Sequence, residues 1–153
     1  MTEVREAADS PKGTRPEVSP KASRQPEGHT TRERFEGGCH CGAVRFRVEV
    51  ESREALDCNC SICTKKGYLH IIVPPERFEL LSGEGALSTY AFHTRTAKHH
   101  FCRTCGVAPF YRPRSHPGWY DVNARCLDGG AWRTFRVVPF DGQNWEANVG
   151  QIT

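Results

Sequence analysis

Seven of the eight cysteines in this 153-residue chain fall into three tight clusters. They are Cys39-x-Cys41, Cys58-x-Cys60-x-x-Cys63 and Cys102-x-x-Cys105, with Cys126 alone. Thiols so grouped can hold metal or form disulfides, and an even number would suit a secreted four-disulfide scaffold. Three features favour metal. The leading MTEVREAADSPKG has no apolar stretch of the secretory kind, which points to the reducing cytoplasm. Cysteines one residue apart on an extended backbone point to opposite faces and make poor disulfide partners. A C-x-x-C followed by glycine, as in Cys102-Arg-Thr-Cys105-Gly106, turns two thiolates onto one ion, most simply zinc.

Ligand counting divides the clusters. Structural zinc takes four protein ligands, whereas catalytic zinc keeps three and leaves a position open. Cys39, Cys41, Cys102 and Cys105 supply four; Cys58, Cys60 and Cys63 supply three from six consecutive residues. The simplest partition is therefore two zinc ions per chain, one closed and one open. An ion with three thiolates has a formal charge of −1 and is a soft, weak Lewis acid, better suited to an incoming sulfur than to oxygen. A thiol completing the tetrahedron would bind as the thiolate, a nucleophile ready for an aldehyde or another carbon electrophile. The alternative is a second structural site closed by Cys126, His40, His93, His99 or His100.

The rest of the chain must position these groups. Residues 1–34 read as a disordered tail, with four prolines, no aromatic residue and seven basic against six acidic side chains. From Phe35 onward the pattern is that of one mainly β domain. Val44, Phe46, Val48 and Val50 alternate with Arg45, Arg47 and Glu49, the period of a half-buried strand. Further strands are expected at 69–73, 87–93, 97–101, 107–111, 119–125 and 133–138, with helical turns at 61–66 and 141–149. At 37% hydrophobic residues and a mean hydropathy of −0.60 the core is thin, so metal stapling matters. No apolar stretch approaches the ~20 residues of a membrane span. The net charge of +3 is too mild to announce a nucleic-acid surface.

The runs Gly37-Gly38-Cys39-His40-Cys41-Gly42-Ala43-Val44-Arg45-Phe46, Asp57-Cys58-Asn59-Cys60-Ser61-Ile62-Cys63, Phe101-Cys102-Arg103-Thr104-Cys105-Gly106 and Val122-Asn123-Ala124-Arg125-Cys126-Leu127-Asp128-Gly129 resemble the glutathione-dependent formaldehyde-activating enzyme family, which includes centromere protein V. The resemblance covers about residues 35–145. It implies a β-rich fold like that of the zinc-binding exchange factor Mss4, with two zinc ions. The structural zinc would fall on Cys39, Cys41, Cys102 and Cys105, the catalytic zinc on Cys58, Cys60 and Cys63. The implied activity is that of a carbon–sulfur lyase joining glutathione and formaldehyde into S-hydroxymethylglutathione. Asn59 stands where many bacterial members carry histidine, and with Ser61-Ile62-Cys63 and Lys65-Lys66 it resembles the centromere-protein-V branch more closely.

Glutathione brings two carboxylates, which makes Arg125, Lys65 and Lys66 candidate anchors; the plainer reading is solvated surface charge. Cys126 reads as a buried small hydrophobe, and His99-His100 as strand residues beside the knuckle. Two functions follow: a cytoplasmic two-zinc enzyme acting on glutathione or another small thiol, or a non-catalytic zinc module binding protein or nucleic acid.

Overall fold

The computed structural model describes residues 31–153. The expected tail lies outside these residues except at its end, where strand β1 (Glu33–Gly38) begins two residues before the expected boundary. Among the described residues ten strands form three sheets, joined by two short helices and single 3-10 turns. The first sheet is antiparallel, with β2 (Arg45–Val50) between β1 and β5 (Phe78–Ser82). In β2 the expected alternation holds. Phe46, Val48 and Val50 are buried, while Arg47 pairs with Glu36 and Glu79 on the neighbouring strands, and Arg45 pairs with Asp128.

The second sheet carries the site. Its order is β10 (Arg136–Phe140), β3 (Glu54–Cys58), β4 (Leu69–Val73), β9 (Tyr120–Asn123) and β8 (Phe110–Tyr111). Only the β10–β3 pair is parallel. Pro139 is tolerated because β10 is an edge strand that need not donate outward. The third sheet is the pair β6 (Leu87–Tyr90) and β7 (His99–Cys102). A core of Val44, Phe46, Val48, Leu69, Ile71, Val73, Phe110 and Val122 joins the layers, and the sulfurs of Cys39 and Cys102 are part of it. Phe78 stacks on Tyr120 at 4.1 Å and on Phe46 at 5.9 Å, linking the first two sheets.

Three strands went unread in the sequence: β1, β3 and β5. Each has charged residues and only partial burial, so its pairing partner rather than its own pattern decides it. The last strand starts three residues later than expected, because Asp128–Thr134 forms 3-10 turns through Gly129 and Gly130, both at positive φ. The strand expected at 107–111 shortens to two residues. Pro109 has no N–H to donate, and Asn123 Nδ2 instead caps the Ala108 carbonyl at 3.2 Å. The turns at Ser61–Lys66 (α1) and Trp145–Asn148 (α2) are present. Among the described residues no helix is long and apolar enough to cross a membrane.

Candidate active site

The two cysteine groups are built by different local devices. Cys39 follows β1, and its N–H bonds the Val44 carbonyl at 3.0 Å across a tight turn in which Gly42 takes φ +82°. Cys102 ends β7, and the Gly106 N–H closes the following knuckle on its carbonyl at 2.8 Å. The sulfurs of Cys39, Cys41, Cys102 and Cys105 all lie within 4.8 Å of one another, with Cys41 Sγ 3.6 Å from both Cys39 and Cys102. Backbone N–H groups point at them. Val44 donates to Cys39 Sγ at 3.3 Å, and donors from Cys41 and Val107 bring the Cys105 thiol down to about 6. Four clustered, N–H-solvated thiols, none in a disulfide, fit a closed tetrahedral ion.

The second group sits where β3 runs into α1. Cys58 ends the strand, Cys60 precedes the helix, and Cys63 lies on its buried face. The three sulfurs again fall within 4.8 Å of one another. Hydrogen bonds from Cys58 and Cys63 hold Cys60 far below the usual thiol range, and the same sharing pushes Cys63 up. No histidine, carboxylate or fourth cysteine among the described residues comes within 4.8 Å of all three sulfurs. None of the alternative fourth ligands joins the three sulfurs, although His93 and His99 line the same cavity. Cys126 is half-buried, its thiol 3.8 Å from the Ala108 carbonyl and pushed up to about 12 by burial, and His100 pairs with Thr89.

Asn59 locks this loop to the far end of the chain. Its Nδ2 donates to Asp141 at 3.0 Å, and its Oδ1 accepts the Gln143 N–H at 2.9 Å. Both ends of the amide are occupied in positioning the ligand loop. Asn59→Ala is expected to weaken metal retention at the three-cysteine group by about 10–100-fold, read by competition with a chromophoric chelator. Unchanged retention would mean that other contacts hold the loop.

The three sulfurs open on a cavity of about 210 Å³ whose walls are largely apolar, with Ile72, Phe92, Tyr111, Phe140 and Trp145 among them. Two buried polar side chains line it, His70 on β4 and Asp121 on β9, with His70 Nδ1 2.8 Å from Asp121 Oδ2. His99 also faces it, stacked 4.9 Å from Tyr111, and burial brings its pKa down to about 4, so it is neutral.

Neither Arg125 nor Lys65, the expected anchors, lines this cavity. Asn123 Oδ1 accepts the Arg125 N–H at 3.1 Å and turns the chain, leaving Arg125 exposed with its guanidinium 4.5 Å from the Trp132 ring. Lys65 is on the outer face of α1. The next residue, ~100° further round the helix, is Lys66, whose Nζ is buried and which interacts electrostatically with Cys63, Asp121 and Cys60. The guanidinium at the cavity belongs to Arg114, packed 3.4 Å over Trp145. Sequence reading missed His70, Asp121, Tyr111 and Arg114. The available signal was a polar residue inside each of two buried strands, Leu69-His70-Ile71-Ile72-Val73 and Tyr120-Asp121-Val122.

The comparisons agree with this architecture. The family model described as glutathione-dependent formaldehyde-activating enzyme matches residues 34–138. A Halomonas elongata protein named "Putative glutathione-dependent formaldehyde-activating enzyme" is 35% identical over 83 residues, covering 48% of this chain; the match spans about half, 53%, of that relative. A crystal structure of a Rhodobacter sphaeroides protein superposes with a TM-score of 0.62 at 39% identity, over 69% of this chain and 98% of the other. The chain belongs to the glutathione-dependent formaldehyde-activating enzyme family.

Proposed function

We propose that this protein is a zinc-dependent carbon–sulfur lyase of the S-(hydroxymethyl)glutathione synthase type, combining a thiol with formaldehyde or a related carbonyl in the cytoplasm. The observation that carries the reading is the three-cysteine group, without a fourth protein ligand among the described residues, opening on a largely apolar cavity. Family membership supports the same chemistry. Cys39, Cys41, Cys102 and Cys105 would hold the structural zinc, and Cys58, Cys60 and Cys63 the second. A zinc ion held by the latter three would supply a soft site that lowers a thiol's pKa and presents it as the thiolate.

The chain's own residues do the rest. The largely apolar walls lower the local dielectric, which strengthens the polar interactions inside. Phe92 and Trp145 confine the carbonyl compound beside the sulfurs. Arg114, held by Trp145, is the cation placed to receive a substrate carboxylate.

Equilibrium NMR exchange between glutathione and its hydroxymethyl adduct tests this, because the uncatalysed exchange provides its own baseline. Exchange above the spontaneous rate is expected, and its loss in Cys60→Ala, with the fold retained. Exchange at the spontaneous rate with the native protein would remove glutathione and formaldehyde as substrates.

A further inference from the structure

His70 and Asp121 are not metal ligands in this arrangement, and no packing need explains them. His70 is 5% exposed and Asp121 fully buried. Nδ1 is committed to Asp121, while Nε2 and the second carboxylate oxygen have no hydrogen-bond partner among the described residues. Leaving such atoms unmet in a protein interior is costly. The register shows how the pair arises. Asp121 lies directly across from Ile72 on β4 and from Tyr111 on β8, which places it diagonal to His70. His70 and Ile72 share the strand face that lines the cavity, and Leu69, Ile71 and Val73 fill the core on the other.

We propose that the His70–Asp121 pair carries the proton of the addition step, His70 exchanging it with the substrate through Nε2 and Asp121 positioning the ring. The assignment rests on the synthase reading above. As the C–S bond forms, the carbonyl π pair moves to oxygen, and that oxygen takes the proton from His70 Nε2. The neutral ring then recovers a proton from the S–H of the next thiol. Thiol plus aldehyde thus gives the hydroxymethyl thioether with no net proton change, and breakdown of the adduct runs the same steps in reverse.

The groups facing His70 set the sign of its pH dependence. Asp121 comes from β9, and Tyr111 from β8, its hydroxyl 3.5 Å from Nδ1. Tyr68 packs at 4.6 Å from just before β4, His99 from β7, Lys66 from α1 and Cys60 from the loop before α1. Burial and Lys66 lower the His70 pKa. The Asp121 charge and hydrogen bond, with Cys60, outweigh them and raise it above the usual histidine value. The imidazolium is the proton donor, so the catalysed rate falls as pH rises through that pKa.

The test uses the metal-loaded full chain with glutathione and formaldehyde. His70→Asn keeps an N–H toward Asp121 but has no group at Nε2. It should slow the exchange by about 100-fold, or to the spontaneous rate if that is faster, and abolish the high-pH limb. Metal content and glutathione affinity by calorimetry should be unchanged. In the resting protein, nitrogen NMR of the histidine rings should show His70 protonated at Nδ1 and titrating high, and Asp121→Asn should lower that titration. A His70→Asn variant exchanging at the native rate, or a His70 titration unmoved by Asp121→Asn, overturns the proton relay and leaves the synthase reading standing. A native protein that does not accelerate exchange overturns both.

Discussion

Cys102→Ala should leave the protein unfolded or insoluble, without a stable two-metal form. The Cys102 side chain is fully buried and is at once a core residue and a member of the four-sulfur group. That group ties the turn after β1 to the knuckle after β7, segments about sixty residues apart that belong to different sheets. A structural zinc contributes about 10–16 kcal/mol in small zinc-dependent peptides, and this counts as folding free energy wherever the unfolded chain has no preformed site. Domains of this size hold only ~5–15 kcal/mol in total. Loss of one of four ligands also leaves three thiols and a methyl-sized gap in the core. Circular dichroism on heating and metal analysis of the soluble fraction read the outcome. A variant with native melting and two metals per chain would show that the four sulfurs do not staple the fold.

How much of this was visible beforehand depended on the range over which each feature is determined. The cysteine groups were legible because candidate ligands one to three residues apart are placed by the local backbone, and only two ways of completing a tetrahedron had to be compared. Strand β2 was legible because one face is buried and the other charged. Strands β1, β3 and β5 were not, because a segment such as Glu54-Ala55-Leu56-Asp57-Cys58 becomes a strand only when β10 and β4 pair with it. The His70–Asp121 pair depends on the β4–β9 register, which no short motif encodes. The lining of the cavity was illegible for a geometric reason. Proximity to a ligand in sequence does not fix direction, so Lys65 points outward while Arg114, from a distant loop, reaches the cavity.

Gly142→Ala should disable the three-cysteine site while sparing the fold. This residue carries no motif and lies far from the cysteines in sequence, yet it is buried against them. A Cβ built there would stand 2.3 Å from Cys58 Sγ, too close to persist, and a tight 3.3 Å from Cys60 Cβ. The backbone on both sides is pinned, which removes the easy relaxation. Phe140 lies beside Cys58 in the parallel β10–β3 pair, Asp141 and Gln143 are held by Asn59, and the Gly142 N–H bonds the Phe140 carbonyl at 3.0 Å. The movable part is the Cys58 side chain, and rotating it away withdraws one of the three sulfurs. The four-sulfur group is built from other segments and is untouched. The expected result is one metal per chain instead of two, a melting temperature within several degrees of native, and glutathione-adduct exchange at the spontaneous rate. Two metals per chain with native exchange would mean that the loop moves more easily than its tethers imply, and that close packing of Gly142 on Cys58 does not shape the site.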